Sequence, residues 1–180
     1  IVHNENLQSV DLNGVTELGN YAFDYTVLTS VDTTGITSMG TGAFRGTSII
    51  AATVGEAISE NMFMGCSSLA SVTFAGTDYR EIPGHMFQNC SALTSISLPD
   101  SITKIGTYAF NATALTSIKI PDTVTEIGTY AFYTCNSLAS VELNNGLQTI
   151  GDYAFGGYEN GCSITTLSIP GTVTSIGQQA

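Results

Sequence analysis

Four cysteines and two histidines are the residues best equipped for chemistry. Cys66, Cys90 and Cys135 each stand three residues after a phenylalanine, at Phe63, Phe87 and Phe132, and Cys162 falls in the same turn after an insertion. A thiol beside an imidazole makes a nucleophile–base pair, and Cys90 with His85 is the only conceivable one. His85 takes a slot that other segments give to a surface tyrosine, whereas Cys90 takes an interior one, so the two are expected to point to different sides. Zinc needs ligands that converge at short spacing, and cysteines at equivalent places would be spread along an axis instead. Two readings of the thiols stay open. They are small buried side chains filling the interior, or Cys66 pairs with Cys90 and Cys135 with Cys162, since equivalent Cα atoms in adjacent segments would lie about 5–6 Å apart, within disulfide range.

Other chemistry is thinner. Asp11 and Asp32 share one outward position in adjacent segments, where two close carboxylates favour a bound cation; the alternative is a solvated edge. Thr73, Ser97 and Ser168 replace the acids at that position, which excludes a continuous calcium ladder. Gly40-Thr41-Gly42 is too short for a nucleotide loop and reads as a corner. No catalytic residue, metal or cofactor is assigned, and the chain is read as not an enzyme. Binding chemistry is better represented. Tyr108, Tyr130 and Tyr153 share one position, with Tyr21 at the far end; such a stripe suits an interface and equally suits ring packing between neighbours. A hydroxyl row runs Ser9, Ser30, Ser48, Ser71, Ser95, Ser117, Ser140 and Thr166. Two residues further on, a more variable row runs Asp11, Asp32, Ile50, Thr73, Ser97, Lys119, Glu142 and Ser168. The ligand-binding candidates are therefore Tyr108, Tyr130, Tyr153, Lys119, Glu142, Ser95, Ser117 and Ser140. Asn89-Cys90-Ser91 and Asn111-Ala112-Thr113 formally match the glycosylation sequon.

What must position these rows is a repeat. Leu93 to Phe110 recurs as Leu115 to Phe132 with thirteen of eighteen positions identical, at an offset of 22 residues. Self-similarity at such a period marks a solenoid, in which one repeat cannot bury its apolar face alone. The alanine or methionine before the recurrent phenylalanine falls at Ala22, Ala43, Met62, Met86, Ala109, Ala131 and Ala154, with Ala180 marking an eighth coil cut short. Each coil opens with a leucine followed by apolar residues three and five positions later, as in Leu93, Ile96, Leu98 and Leu115, Ile118, Ile120. Alternation at period two predicts a short half-buried strand, and stacked coils would align these strands as a parallel sheet on one face. Pro99, Pro121 and Pro170 end the strand by withholding an N–H. A second short apolar segment follows, Val124 to Gly128 in the clearest case, and Tyr-Ala-Phe then predicts a helical turn or less. Phe23, Phe44, Phe63, Phe87, Phe110, Phe132 and Phe155 should stack as a buried spine. The coil around Ile49 to Phe63 is short and divergent.

The pattern L-x-x-I-x-L-P-x-x-V-T-x-I-G-x-x-A-F-x-x-C resembles the BspA-like, treponemal-type leucine-rich repeat, over essentially the whole chain. The expected fold is an α/β repeat solenoid, strand-rich, a right-handed superhelix of about eight coils. The resemblance implies a surface or secreted protein of anaerobic bacteria or some parasitic protists, adhering to host or cell-surface proteins or other cells. It carries no catalytic residues and names no ligand. A glycan partner is a further expectation, from the flat hydroxyl rows. Residues 1–180 read as one array, and as a piece of a longer protein.

Composition narrows the partners. Of 180 residues 43% are apolar and 11% charged, with a net charge of −11. Arg45, Arg80, Lys104 and Lys119 are scattered, so no basic surface exists to neutralise phosphates and nucleic acid is not an expected partner. The same charge opposes docking on anionic lipid. No run reaches the roughly 18 apolar residues of a membrane span.

Overall fold

The computed structural model describes residues 1–158 and 161–180. Among the described residues, twelve short strands make two parallel ladders on different sides of a stacked coil. One ladder uses the Leu-x-x-Ile-x-Leu segments: β2 (Ser30–Asp32), β4 (Ala51–Val54) and β5 (Ser71–Phe74) pair in that order, and β8 (Ser117–Lys119) pairs with β10 (Ser140–Glu142). The other uses the second apolar segment. There β1 (Glu17–Leu18) pairs with β3 (Ser38–Met39), and β6 (Glu81–Ile82), β7 (Lys104–Ile105), β9 (Glu126–Ile127), β11 (Thr149–Ile150) and β12 (Ser175–Ile176) run as one sheet. The sequence had pointed to a single sheet. Three-residue Thr-x-Ile stretches are too short for alternation to show, and their N–H groups find partners only in the neighbouring coil.

Among the described residues there is no helix, which corrects the expected α/β character. The reason lies in where the Tyr-Ala-Phe amides go. Tyr108, Phe110 and Ala112 donate forward to the carbonyls of Thr129, Ala131 and Tyr133 in the next coil, at 3.1, 2.8 and 2.9 Å. The residues between them, Ala109, Asn111 and Thr113, donate three residues back at 3.2 Å each. With every second amide committed sideways, no i→i−4 ladder forms. The geometry requires a left-handed backbone twice per coil, at Tyr108 (φ 56°) and Ala112 (φ 56°), then at Tyr130 (φ 57°) and Thr134 (φ 56°). Each such residue costs about 1–2 kcal/mol, which the inter-coil bonds offset.

The spine forms as expected. Its ring centroids lie 5.5, 5.8, 6.0, 5.4, 5.3 and 5.3 Å apart from Phe23 to Phe155, all stacked. Seven phenylalanines give about seven turns rather than eight; the last segment supplies β12 and no spine ring. Leu28, Leu69, Leu93, Leu115 and Leu138 are wholly buried beside the spine, each contributing roughly 1.5–3 kcal/mol of transfer free energy.

In the divergent third coil the register corrects the two surface rows. Ser30 pairs with Ala51 and Ala51 with Ser71, while Asp32, Thr53 and Thr73 align two residues further on. Ala51 and Thr53 therefore hold the places expected for Ser48 and Ile50. Ile49 fills the opening leucine slot and Ala52 the middle one, so the weak apolar signal of an alanine hid the strand.

Candidate functional site: an outer tyrosine column and a polar strand face

Tyr108, Tyr130 and Tyr153 form a column on the turn side of the coil. Centroids are 4.6 Å apart for Tyr108–Tyr130 and 4.9 Å for Tyr130–Tyr153, with planes within 7° of parallel. The left-handed φ of these residues aims each side chain over the equivalent residue of the next coil. His85 extends the column by stacking on Tyr108 at 4.9 Å. Ring faces are thus largely spent on one another, and the edges and hydroxyls are what the column offers a partner. Two tyrosines not foreseen complete it: Tyr133 meets Tyr130 edge-on at 5.0 Å, and Tyr158 meets Tyr133 at 5.6 Å. The missed signal was Tyr133 in the slot two after the ruler residue, where other coils carry Gln88 and Asn111. A groove of about 640 Å³ runs beside the cluster. The Tyr130 and Tyr133 hydroxyls are held above the ordinary tyrosine value, first by desolvation within the cluster and then by neighbouring phenols.

A row of polar contacts flanks the column. Gln88 Nε2 donates to Asn111 Oδ1 at 2.9 Å, and Asn111 Nδ2 donates to the Tyr133 carbonyl at 2.8 Å. Asn111 is buried with its amide engaged, so the second sequon is closed to modification; Asn89 is exposed. At the other end of the array, Tyr21 does not stack on a tyrosine. Its ring lies over Gly42, where a Cβ would sit 2.6 Å from the ring. The Arg45 guanidinium is 4.7 Å from the Tyr21 centroid and 5.4 Å from that of Tyr25. Arg45 also holds buried Asp24 through two bonds of 2.8 and 2.9 Å.

On the strand face Ser117 pairs with Ser140 and Lys119 with Glu142. Lys119 Nζ lies 3.7 Å from Glu142 Oε1 with both side chains about 70% exposed, a pair worth little to stability and open to a partner. Ser95 is exposed but outside any paired strand. The face and the tyrosine column lie on different parts of the coil circumference, so the proposed residues form two surfaces rather than one.

The cysteines are thiols, each bonded to the spine backbone. Cys66, Cys90 and Cys135 donate to the carbonyls of Phe44, Phe63 and Phe110 at 3.1, 3.2 and 3.0 Å, and Cys162 to Phe132 at 3.4 Å. Thr26, Thr47 and Thr113 fill the same slot in other coils and bond their own phenylalanine carbonyl. Burial pushes the Cys66 thiol up to about 11 and the Cys162 thiol up to about 12, the opposite of an activated nucleophile. His85 sits outside with Nδ1 2.7 Å from Gln88 Oε1, on the other side from Cys90. Asp11 and Asp32 each cap their own turn, accepting from Asn13 and Thr34 at 2.9 Å.

A family model described as the BspA type leucine rich repeat region matches residues 2–58 and 56–180, in six copies. The chain belongs to the BspA-type leucine-rich repeat family. Among solved structures, a T. pallidum leucine-rich repeat protein aligns at 25% identity and TM-score 0.59, over 94% of this chain and 70% of that one. A leucine-rich cell surface protein from Faecalibacterium prausnitzii aligns at 25% identity and TM-score 0.56, over 91% and 61%. A Bacteroides ovatus leucine-rich repeat protein shares the fold at 23% identity and TM-score 0.58, over 94% of this chain and 55% of that one. The BspA-type chain thus spans little more than half of the second and third proteins. No curated protein matches.

Proposed function

We propose that this array is a non-enzymatic recognition module of a longer cell-surface or secreted protein, binding protein or glycan partners through its solenoid surface. One observation carries the reading: a column of stacked tyrosines, extended by Tyr133 and Tyr158 beyond what coil packing repeats elsewhere, beside a groove of about 640 Å³. Tyrosine edges and hydroxyls give amphipathic contact at low side-chain entropy cost. The strand face with Ser95, Ser117, Ser140, Lys119 and Glu142 is the second contact surface. The F. prausnitzii cell surface protein supports the location by likeness, and the fraction of the related chains covered supports the longer protein.

A spacer that merely holds another domain outward is the second reading, favoured by the mutual stacking of the rings. Immobilised array exposed to a glycan array and to extracellular-matrix proteins separates the two, because a spacer retains nothing. Triple replacement of Tyr108, Tyr130 and Tyr153 by alanine should then abolish capture. Unchanged capture with an unchanged unfolding midpoint removes the column as a contact.

A further inference from the structure

The fourth and fifth coils are bonded on two sides and open on the third. On the turn side His85, Phe87 and Asn89 donate to Thr107, Ala109 and Asn111 at 2.8–2.9 Å, and in the second ladder β6 pairs with β7. On the strand side, among the described residues, β5 pairs with β4 alone. The fifth coil's segment Ser95-Ile96-Ser97-Leu98 joins no sheet. Among the described residues, none of those four makes a main-chain hydrogen bond; the neighbouring Thr94 carbonyl accepts from Thr116 at 3.1 Å. Between the lips lies a cleft of about 810 Å³, the walls of which include Thr73, Phe74, Ser97, Leu98, Asp100 and Ser101.

Larger residues stand at the opening. Phe74 stands where other coils place Leu12, Val54, Leu98, Ile120 or Leu143, and Tyr79 where they place Ile36, Ile102, Val124 or Leu147. The two rings meet edge-on at 5.2 Å, and Phe74 meets Phe87 edge-on at 6.4 Å. Tyr79 is fixed by donating to the Val54 carbonyl at 2.8 Å and accepting from Gly76 at 2.7 Å. One coil thus carries three aromatic rings packed on the core, and its strand does not pair with the next, where a ladder would set the two about 4.8 Å apart.

The chemistry left in the cleft is specific. Between β8 and β10, Ser140 donates to the Thr116 carbonyl and Ile120 to that of Glu142, at 3.4 and 2.9 Å. By the same register the unused groups here are the Ser95 N–H and Ala70 carbonyl, and the Phe74 N–H and Ser97 carbonyl. Ser101 Oγ is shut from solvent without a hydrogen-bond partner among the described residues. Phe74, Leu98 and Pro99 add apolar surface, and Asp100 is the charged residue of the lining, in a chain of net charge −11. We propose that this cleft docks an extended, basic peptide segment of a partner protein, which adds as a strand to the free main-chain groups. Unpaired strand edges are ready templates for such addition, and the sign of the charge selects the partner's side chains. This rests on the recognition reading above and adds a site of stated ligand chemistry to it.

The test uses the whole chain and a short labelled peptide in which valine and lysine alternate. The peptide should bind, about tenfold more weakly when one inward amide is N-methylated, since one main-chain bond is lost. It should bind more weakly still when glutamate replaces lysine. Amide exchange at Ser95 and Ser97 should be faster than at Ile118 and Glu142 in the free protein, and should slow when peptide is added. Thr73→Trp or Ser97→Trp, each filling the cleft from an exposed position, should abolish binding, whereas Gln148→Trp, exposed beside the second ladder, should not. Full affinity for the N-methylated peptide, or in both tryptophan variants, overturns the proposal. So does an oligosaccharide that occupies the cleft while the peptide does not. If no peptide binds yet matrix proteins or glycans are still captured, the cleft assignment falls and the recognition module stands; if nothing is captured at all, both fall.

Discussion

Tyr21 and Tyr130 occupy the same slot of the coil with nearly the same backbone, φ 55° and 57°, yet they make different surfaces. Tyr130 lies between two other tyrosine rings. Tyr21 lies over a glycine and against an arginine that is itself locked to an aspartate. The slot dictates where the ring goes, and the next coil dictates what it meets. In a stacked array, surface chemistry is therefore a property of neighbouring pairs, and single repeats do not define it. The N-terminal coils use the slot to build an ion pair against aromatics, while the C-terminal coils use it to build a column.

The largest effect should come from what the two regions share. Phe110→Ala removes a fully buried spine ring, stacked 5.4 Å from Phe87 and 5.3 Å from Phe132, and should destabilise by about 3–5 kcal/mol. Because stability is passed between nearest neighbours, denaturant unfolding should lose its single transition and separate an N-terminal from a C-terminal unit. A single unshifted transition would mean that the spine does not couple the coils.

How much of this was legible in sequence follows from the same distinction. Position-specific features were readable: Phe110 and Phe132 recur with identical neighbours, so the spine and the strand segment around Ile118 could be placed by spacing. Pairwise features were not. Nothing in Tyr21 alone announces Gly42 beneath it, and Tyr133 gains meaning only from Tyr130 and Tyr158 beside it. The opening beside Ser97 is invisible because Ser95 to Leu98 keeps the repeat pattern, and Phe74 and Tyr79 differ from their counterparts chiefly in size. The absence of helix was hidden too, since the amides of Tyr108 and Phe110 are claimed by a coil 22 residues away.

Asp24→Ala sharpens the N-terminal side of the comparison. Its carboxylate is buried and takes two bonds from Arg45, so removal should cost about 1.5–3 kcal/mol, the range for hydrogen bonds to charged groups. The guanidinium should also lose its fixed place over Tyr21 and Tyr25. A change within about 0.5 kcal/mol, the range of an ordinary surface site, would show that stacking alone holds Arg45.

Gly46→Ala separates backbone from neighbour more finely. Gly46 has φ 65°, and a Cβ there would lie 2.6 Å from the Tyr25 ring. The equivalent slot in the fifth coil is Ala112 at φ 56°, so the backbone accepts alanine where no ring covers it. We expect Gly46→Ala to lose about 1–2 kcal/mol as strain intrinsic to left-handed backbone, with a smaller remainder from the ring contact. The remainder should disappear in a Tyr25→Ala background, a coupling that a double-mutant cycle measures directly. Additive losses would mean that the ring moves aside at no cost.

The smallest effect is confined to alkaline solution and belongs to the column alone. Tyr130 and Tyr133 are held above the ordinary tyrosine value of 10.0, chiefly by desolvation. The folded chain then binds their protons more tightly than the unfolded chain does, so their contribution is present below the unfolded value and fades as pH climbs through the folded one. Near neutrality, where the phenol stays protonated folded or unfolded, Tyr130→Phe should produce no pH-dependent difference. In a phenolate absorbance titration, the difference between the native protein and Tyr130→Phe should be a transition above 10.0, followed at higher pH by weakening of the column. If that difference instead titrates at 10.0 or below, the rings are solvated individually and the column is a row of neighbours without a shared environment.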